Sequence, residues 1–112
     1  MFCEAAKVKT AQIDAGLTRR VLSSGDRIMV VEMGFAAGAG TPAYAIPHFH
    51  AYEQIGYVIT GKVKVTVGGE TRILGAGDSY LTLPGVEHTA YALEESTMLE
   101  VFSPPRADLL GK

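Results

Sequence analysis

Three histidines occur in the 112-residue chain, and two of them stand one residue apart. The stretch "PHFHAYEQ" carries His48, His50 and Gln54, and His88 follows later in "LPGVEHTAYA". Alternate side chains of a β-strand share a face, so an uninterrupted strand from His48 to Gln54 aims all three to one side. Pro47 suits the beginning of such a strand, because it has no N–H to give to a ladder. Pro84 and Gly85 mark a turn just before His88. If the strand opening at His88 faces the first across a closed barrel, three imidazoles and one side-chain amide converge. That donor set suits a divalent transition metal ion, and it does not choose among Ni, Zn, Mn and Fe. A bare His-x-His is equally compatible with scattered surface or hydrogen-bonded residues. If the ion is present, all four protein ligands are neutral. The ion then keeps its full charge and polarises a bound oxygen strongly, which favours Lewis-acid chemistry on an anionic substrate over redox chemistry.

The elements that would position these groups are short β-like runs separated by turns. "DRIMVVEMGF", "EQIGYVIT", "KVKVTV", "TRIL", "SYLTLP", "EHTAYAL" and "TMLEVFS" follow one another with Gly, Pro and acidic punctuation between them. In "KVKVTV", Val63, Val65 and Val67 alternate with Lys62, Lys64 and Thr66, the pattern of a strand with one buried and one wet face. Spacing of this kind predicts an antiparallel all-β sandwich or barrel. Helical turns are expected at most at "AQIDAGL" and "ADLL". The glycine-rich "GFAAGAGTP" lacks the Lys-Ser/Thr of a phosphate loop and reads as a surface loop.

The last strand offers a second group of candidates. Met98, Glu100 and Phe102 share one face, and Leu99 and Val101 the other. Burial of Leu99 and Val101 alone would turn Glu100 outward, whereas burial of both faces would aim it into the cavity. Arg106, after the stiff "SPP", could bring a guanidinium back over the mouth, where it would match a carboxylate.

The paired motifs resemble the cupin superfamily. Its first motif, His-x-His, three or four residues, Glu or Gln, six residues, Gly, is met by His48, His50, Gln54 and Gly61. Its second, a Gly-Asp step followed by a Pro-Gly turn and a histidine, is read in Gly77, Asp78, Pro84, Gly85 and His88. The chain departs from the pattern where the glycine before the first histidine is displaced, and where Ala92 takes the place of a terminal Asn. The resemblance spans about residues 28–103 and implies an all-β cupin (double-stranded β-helix, or jelly-roll) barrel of six to eight strands. It also implies a metal held by His48, His50, Gln54 and His88, and commonly a dimer, while the length of 112 residues suits one domain over 1–112. More narrowly, "VFSPPR" together with the two motifs looks like the KdgF group of pectin-degradation proteins. That group promotes ring opening of 4,5-unsaturated uronates to the linear keto form. The likeness implies catalytic roles for Glu100, Phe102 and Arg106, with Glu100 standing where the family has Asp. Glu100 would shuttle protons, Phe102 pack on the sugar and Arg106 meet its carboxylate, with Tyr52 and Tyr91 as lesser candidates for hydrogen bonds.

Composition bounds the alternatives. A formal net charge of -2 supplies no basic stripe for nucleic acid, and no apolar run reaches the length of a membrane span. The N-terminus has no apolar core of signal-peptide length, so the expected compartment is the cytoplasm. Cys3 is the single cysteine and has no partner for an intrachain disulfide. The expected partners are a small anionic sugar or organic acid and, because Ile55, Tyr57 and Ile59 lie opposite Gln54, a second copy of the chain. Two other activities fit the same barrel. One is an Fe- or Ni-dependent oxygenase or sugar isomerase, and the other is a non-catalytic binder of a sugar or acid.

Overall fold

The alternating runs fold as two antiparallel sheets around one apolar core. The computed structural model describes residues 1–41 and 52–110. Its strands are β1 (Ala11–Asp14), β2 (Leu17–Ser24), β3 (Met29–Phe35), β4 (Glu53–Thr60), β5 (Lys62–Val67), β6 (Glu70–Gly75), β7 (Ser79–Thr82), β8 (His88–Ala92) and β9 (Ser96–Ser103). Six form one sheet in the order β1-β2-β3-β9-β4-β7, and three form the other in the order β6-β5-β8. The chain is all-β, as the spacing predicts.

Period-two burial decides which residues line the interior. In β5, Val63 and Val65 are buried while Lys62 and Lys64 are exposed. In β3, Met29, Val31, Met33 and Phe35 are buried at alternate positions. These side chains join Val58, Met98, Phe102, Ala90 and Ala92 in the core. Gly61 is the one residue between β4 and β5. Its φ of +94° and the Ser96 side chain pressed against its Cα leave no room for a Cβ.

Two expectations are corrected. "AQIDAGL" is not helical: β1 and β2 form a hairpin, with Gly16 between them at a φ of +69°. The strand count among the described residues is nine rather than six to eight, and this same N-terminal hairpin supplies the difference. "ADLL" does contain a 3-10 turn, at Ala107–Leu109. Among the described residues no helix is long and apolar enough to cross a membrane.

Candidate functional site

Strand register brings the candidate side chains together in rows. Across the large sheet, Thr82, Gln54, Phe102 and Met29 stand opposite one another on β7, β4, β9 and β3. The next row inward is Tyr80, Gly56, Glu100 and Val31. His88 opens β8 in the small sheet, opposite Val67. Gln54, His88 and Glu100 are buried, at 4%, 8% and 7% exposure. All three line one cavity of about 120 Å³ with Leu17, Arg19, Met33, Thr41 and Arg106. That volume is small beside the ~300–1,000 Å³ of sites for drug-sized ligands, and it limits the occupant to a small molecule.

Glu100 therefore faces inward, and both faces of β9 carry apolar cover: Leu99 and Val101, on the other side, are half-buried. Among the described residues nothing hydrogen-bonds the Glu100 carboxyl. Burial pushes its pKa from the usual 4.5 up to about 7, against the lowering influence of Arg106 and Arg19. It can thus exchange a proton near neutrality. Burial, helped by Arg106, takes His88 the other way, from 6.5 down to about 4, so its ring is neutral. The His88 Nδ1 is covered and has no hydrogen-bond partner among the described residues. A neutral buried imidazole with an unpaired nitrogen, sharing a cavity with a buried amide, is a donor set that fits a divalent cation. His48 and His50 lie outside the described residues, so the structure brings together two of the four expected ligands. Among the described residues alone there is no cluster of three or more His, Cys, Asp or Glu able to hold a metal.

The tail behaves as a clamp. The Arg106 guanidinium lies over Phe102, 5.3 Å from its centroid, and over Tyr52, 5.7 Å away. These two rings meet edge to face at 5.7 Å. Arg106 donates through Nε and Nη2 to the two Asp108 oxygens, at 3.2 and 2.7 Å. Partial burial opposes ionisation of Asp108, but Arg106 holds its carboxyl below the usual range. The Arg106 backbone N–H approaches Met29 Sδ at 3.2 Å, tying the tail to the row that contains Gln54. Phe102 is almost wholly covered, so its ring supports Tyr52 and Arg106 more than it offers a free surface to a sugar. Tyr52 is buried on the cavity side, whereas Tyr91 lies on the outer face of β8 and is exposed. It takes no part in the site.

Three further residues belong here that the sequence reading passed over. Arg19 projects from β2 beside Leu17, an inward position signalled only by the alternation Leu17-x-Arg19-x-Val21. Asp108 sits two residues beyond Arg106, in a turn where its pairing depends on the fold of the tail. Tyr80 lies across Gly56, where a Cβ would stand 2.5 Å from its Cζ and 2.8 Å from its hydroxyl. The Tyr80 hydroxyl is covered and faces the Gln54 amide without full hydrogen-bond geometry. Burial, and then the Glu100 carboxylate, keep the phenol protonated by raising its pKa.

Comparison with known proteins agrees with this architecture. Residues 31–103 match the family described as Cupin domain. The pectin degradation protein KdgF of Dickeya dadantii (strain 3937) is 39% identical over 102 residues, 88% of each chain. The structure of KdgF from Halomonas sp. superposes with a TM-score of 0.87 at 31% identity, over 98% of both chains. An RmlC-like cupin from Shewanella frigidimarina gives 0.87 and 31%, over 97% of this chain and 95% of its own. By the matched family and by these identities over nearly the whole chain, the chain belongs to the cupin domain family and, within it, to the group of the pectin degradation protein KdgF.

Proposed function

We propose that the protein is a metal-dependent cupin that opens the ring of 4,5-unsaturated uronates, converting them to the linear keto form. The observation that carries this reading is Glu100: a buried carboxyl, titrating near neutrality, that shares one small cavity with Gln54, His88 and two guanidinium groups. The reaction is an isomerisation. The bond between the ring oxygen and the anomeric carbon breaks, the anomeric hydroxyl gives up its proton, and the former vinyl carbon takes one up. A single buried group that can hold and release a proton near neutrality serves both transfers, and Glu100 has that character. Arg106, fixed by Asp108, Tyr52 and Phe102, and Arg19 together line the cavity with positive charge, which favours an anionic sugar over a neutral one. The protonated Tyr80, half-buried with its hydroxyl covered, backs Gln54.

His48, His50, Gln54 and His88 would hold one divalent transition metal ion, of the kind Ni, Zn, Mn or Fe. When bound, it would supply positive charge that stabilises a developing oxyanion. The neutrality of His88 and the orphaned Nδ1 support this ligand role. We also assign the chain one domain over 1–112, a cytoplasmic setting and a homodimeric state. The outer face of the large sheet supports the dimer: Ile55 and Leu81 are directly paired there at 45% and 50% exposure, next to Tyr57 and Leu83. Light scattering that finds only monomer at micromolar concentration would rule out the dimer.

The test of function follows the ultraviolet absorbance of a 4,5-unsaturated galacturonate produced by a pectate lyase. The wild type should speed its loss, and chelation followed by metal repletion should abolish and restore the acceleration. A wild type that binds the sugar without accelerating its loss would make the protein a binder. Oxygen consumption restored by Fe would make it an oxygenase.

A further inference from the structure

The cavity holds two guanidinium groups in different states of commitment. Arg106 has its fork closed on Asp108 and its plane stacked on two aromatic rings. Arg19 lines the same cavity, yet among the described residues its guanidinium makes no hydrogen bond or ion pair. Its neighbours on the sheet do not need it. It stands opposite Met33 on β3, beside Leu17 and Val21, whose inward positions are apolar. Its charge does reach the interior, since it opposes the burial-driven rise of the Glu100 pKa and helps to lower that of Asp108.

A guanidinium held half-covered in an apolar wall, with no partner among the described residues, is arranged for a ligand rather than for the fold. A carboxylate arriving at Arg106 must compete with Asp108, which already occupies Nε and Nη2. One arriving at Arg19 meets no such rival among the described residues and gains two parallel charge-assisted bonds. We propose that Arg19, rather than Arg106, is the specificity-determining residue that grips the substrate carboxylate, and that Arg106, held by Asp108 and the two rings, is part of the cavity wall. This rests on the uronate reading for the identity of the ligand. It assigns to β2 a role in binding, although β2 lies outside the residues matched to the cupin family.

The experiment measures binding of D-galacturonate, its methyl ester and D-galactose by NMR titration, to wild type, Arg19→Gln, Arg19→Lys and Arg106→Gln. Galacturonate serves as a saturated probe that cannot react. Wild type should prefer the acid to the ester. Arg19→Gln should weaken the acid by roughly tenfold or more, the loss expected for a charge-assisted pair, and leave the ester unchanged. Arg19→Lys should recover part of the difference, since it restores charge without the fork. Unchanged melting temperatures would show that these variants remain folded. In the turnover assay Arg19→Gln should raise KM far more than it lowers kcat. The proposal is overturned if Arg19→Gln retains the acid preference, if it weakens acid and ester equally, if wild type has no such preference, or if Arg106→Gln alone erases it. A wild type that shows an Arg19-dependent acid preference but no turnover would sink the ring-opening reading and leave the Arg19 assignment standing.

Discussion

Along β9 the inner face changes character within a few residues. Ser96 and Met98 meet Phe35 and Met33 of β3, and Val58 of β4 stands opposite Met98. With Val63 and Ala92, all fully buried or nearly so, they close that end of the sandwich: the side chains are apolar except Ser96, whose hydroxyl donates to the Glu94 carbonyl at 2.8 Å, and Met33 stands at the border with the cavity. Glu100 and Phe102, two and four residues further on, meet Gly56 and Gln54, and there the interior opens into the polar cavity. The same strands and the same pleat thus build a closed end and a reactive end. The closed end is where close packing is satisfied. The open end keeps the Glu100 carboxyl, the His88 Nδ1 and the Tyr80 hydroxyl in states that packing alone would not choose. Buried, poorly satisfied polar groups cost stability, so the open end must borrow its rigidity from the closed one.

That division can be broken by exchanging damage between the ends. Glu100→Gln should lower kcat by about a hundredfold or more, in the range of lost general acid–base catalysis, while the protein melts no lower than wild type at neutral pH, because a buried charge-bearing group is replaced by a neutral one of similar shape. Met98→Ala should do the reverse. It opens a cavity in the closed end at about 2–5 kcal/mol, read from urea midpoints, and the folded fraction should keep near-normal kcat. Comparable loss of kcat in both variants would mean that the ends are not separable.

A smaller effect is expected at the boundary between them. Gly56 has no side chain because the Tyr80 ring occupies that space. Gly56→Ala forces the ring to move, at about 1–3 kcal/mol by the usual penalty for overpacking. Tyr80→Ala in the same molecule should remove much of that added penalty, since the residues share one volume. A strictly additive double mutant would show that the Tyr80 ring is not what excludes a Cβ at position 56.

How far the chain discloses all this can be judged residue by residue. Val63 and Val65 alternating with lysines disclose β5, and Gly61 in its motif marks the turn that follows β4, because burial and turn geometry are local demands. The inward face of β9 is not local. Leu99 and Val101 ask for cover as strongly as Met98 and Phe102, and only the pairing of β9 between β3 and β4 decides that Glu100 points inside. The N-terminal hairpin is obscured for a similar reason. "AQID" is exposed at every position, so its strand state comes from pairing with β2 and not from any pattern of its own. Arg19 and Asp108 are hidden with it, the first because the weak alternation of β2 does not by itself announce a strand, the second because its partner is chosen by the course of the tail. His48, His50 and Gln54 carry the strongest signal in the chain, yet of these only Gln54 lies among the described residues.

The smallest predicted effect is the most diagnostic of a shared environment. In metal-stripped protein, Glu100 has its pKa raised from 4.5 to about 7, so the stability it contributes is fully present below 4.5 and is lost as pH rises through 7. His88 is lowered from 6.5 to about 4, so its contribution is present above 6.5 and is lost as pH falls through 4. Between 4.5 and 6.5 the two slopes oppose each other, and the wild-type urea midpoint should change little. Glu100→Gln should unmask a midpoint that falls on acidification across that window, and His88→Asn one that rises. Arg106→Gln extends the test, because the Arg106 charge lowers both pKa values. Its removal should move both transitions upward in pH together, whereas independent sites would respond one at a time or not at all.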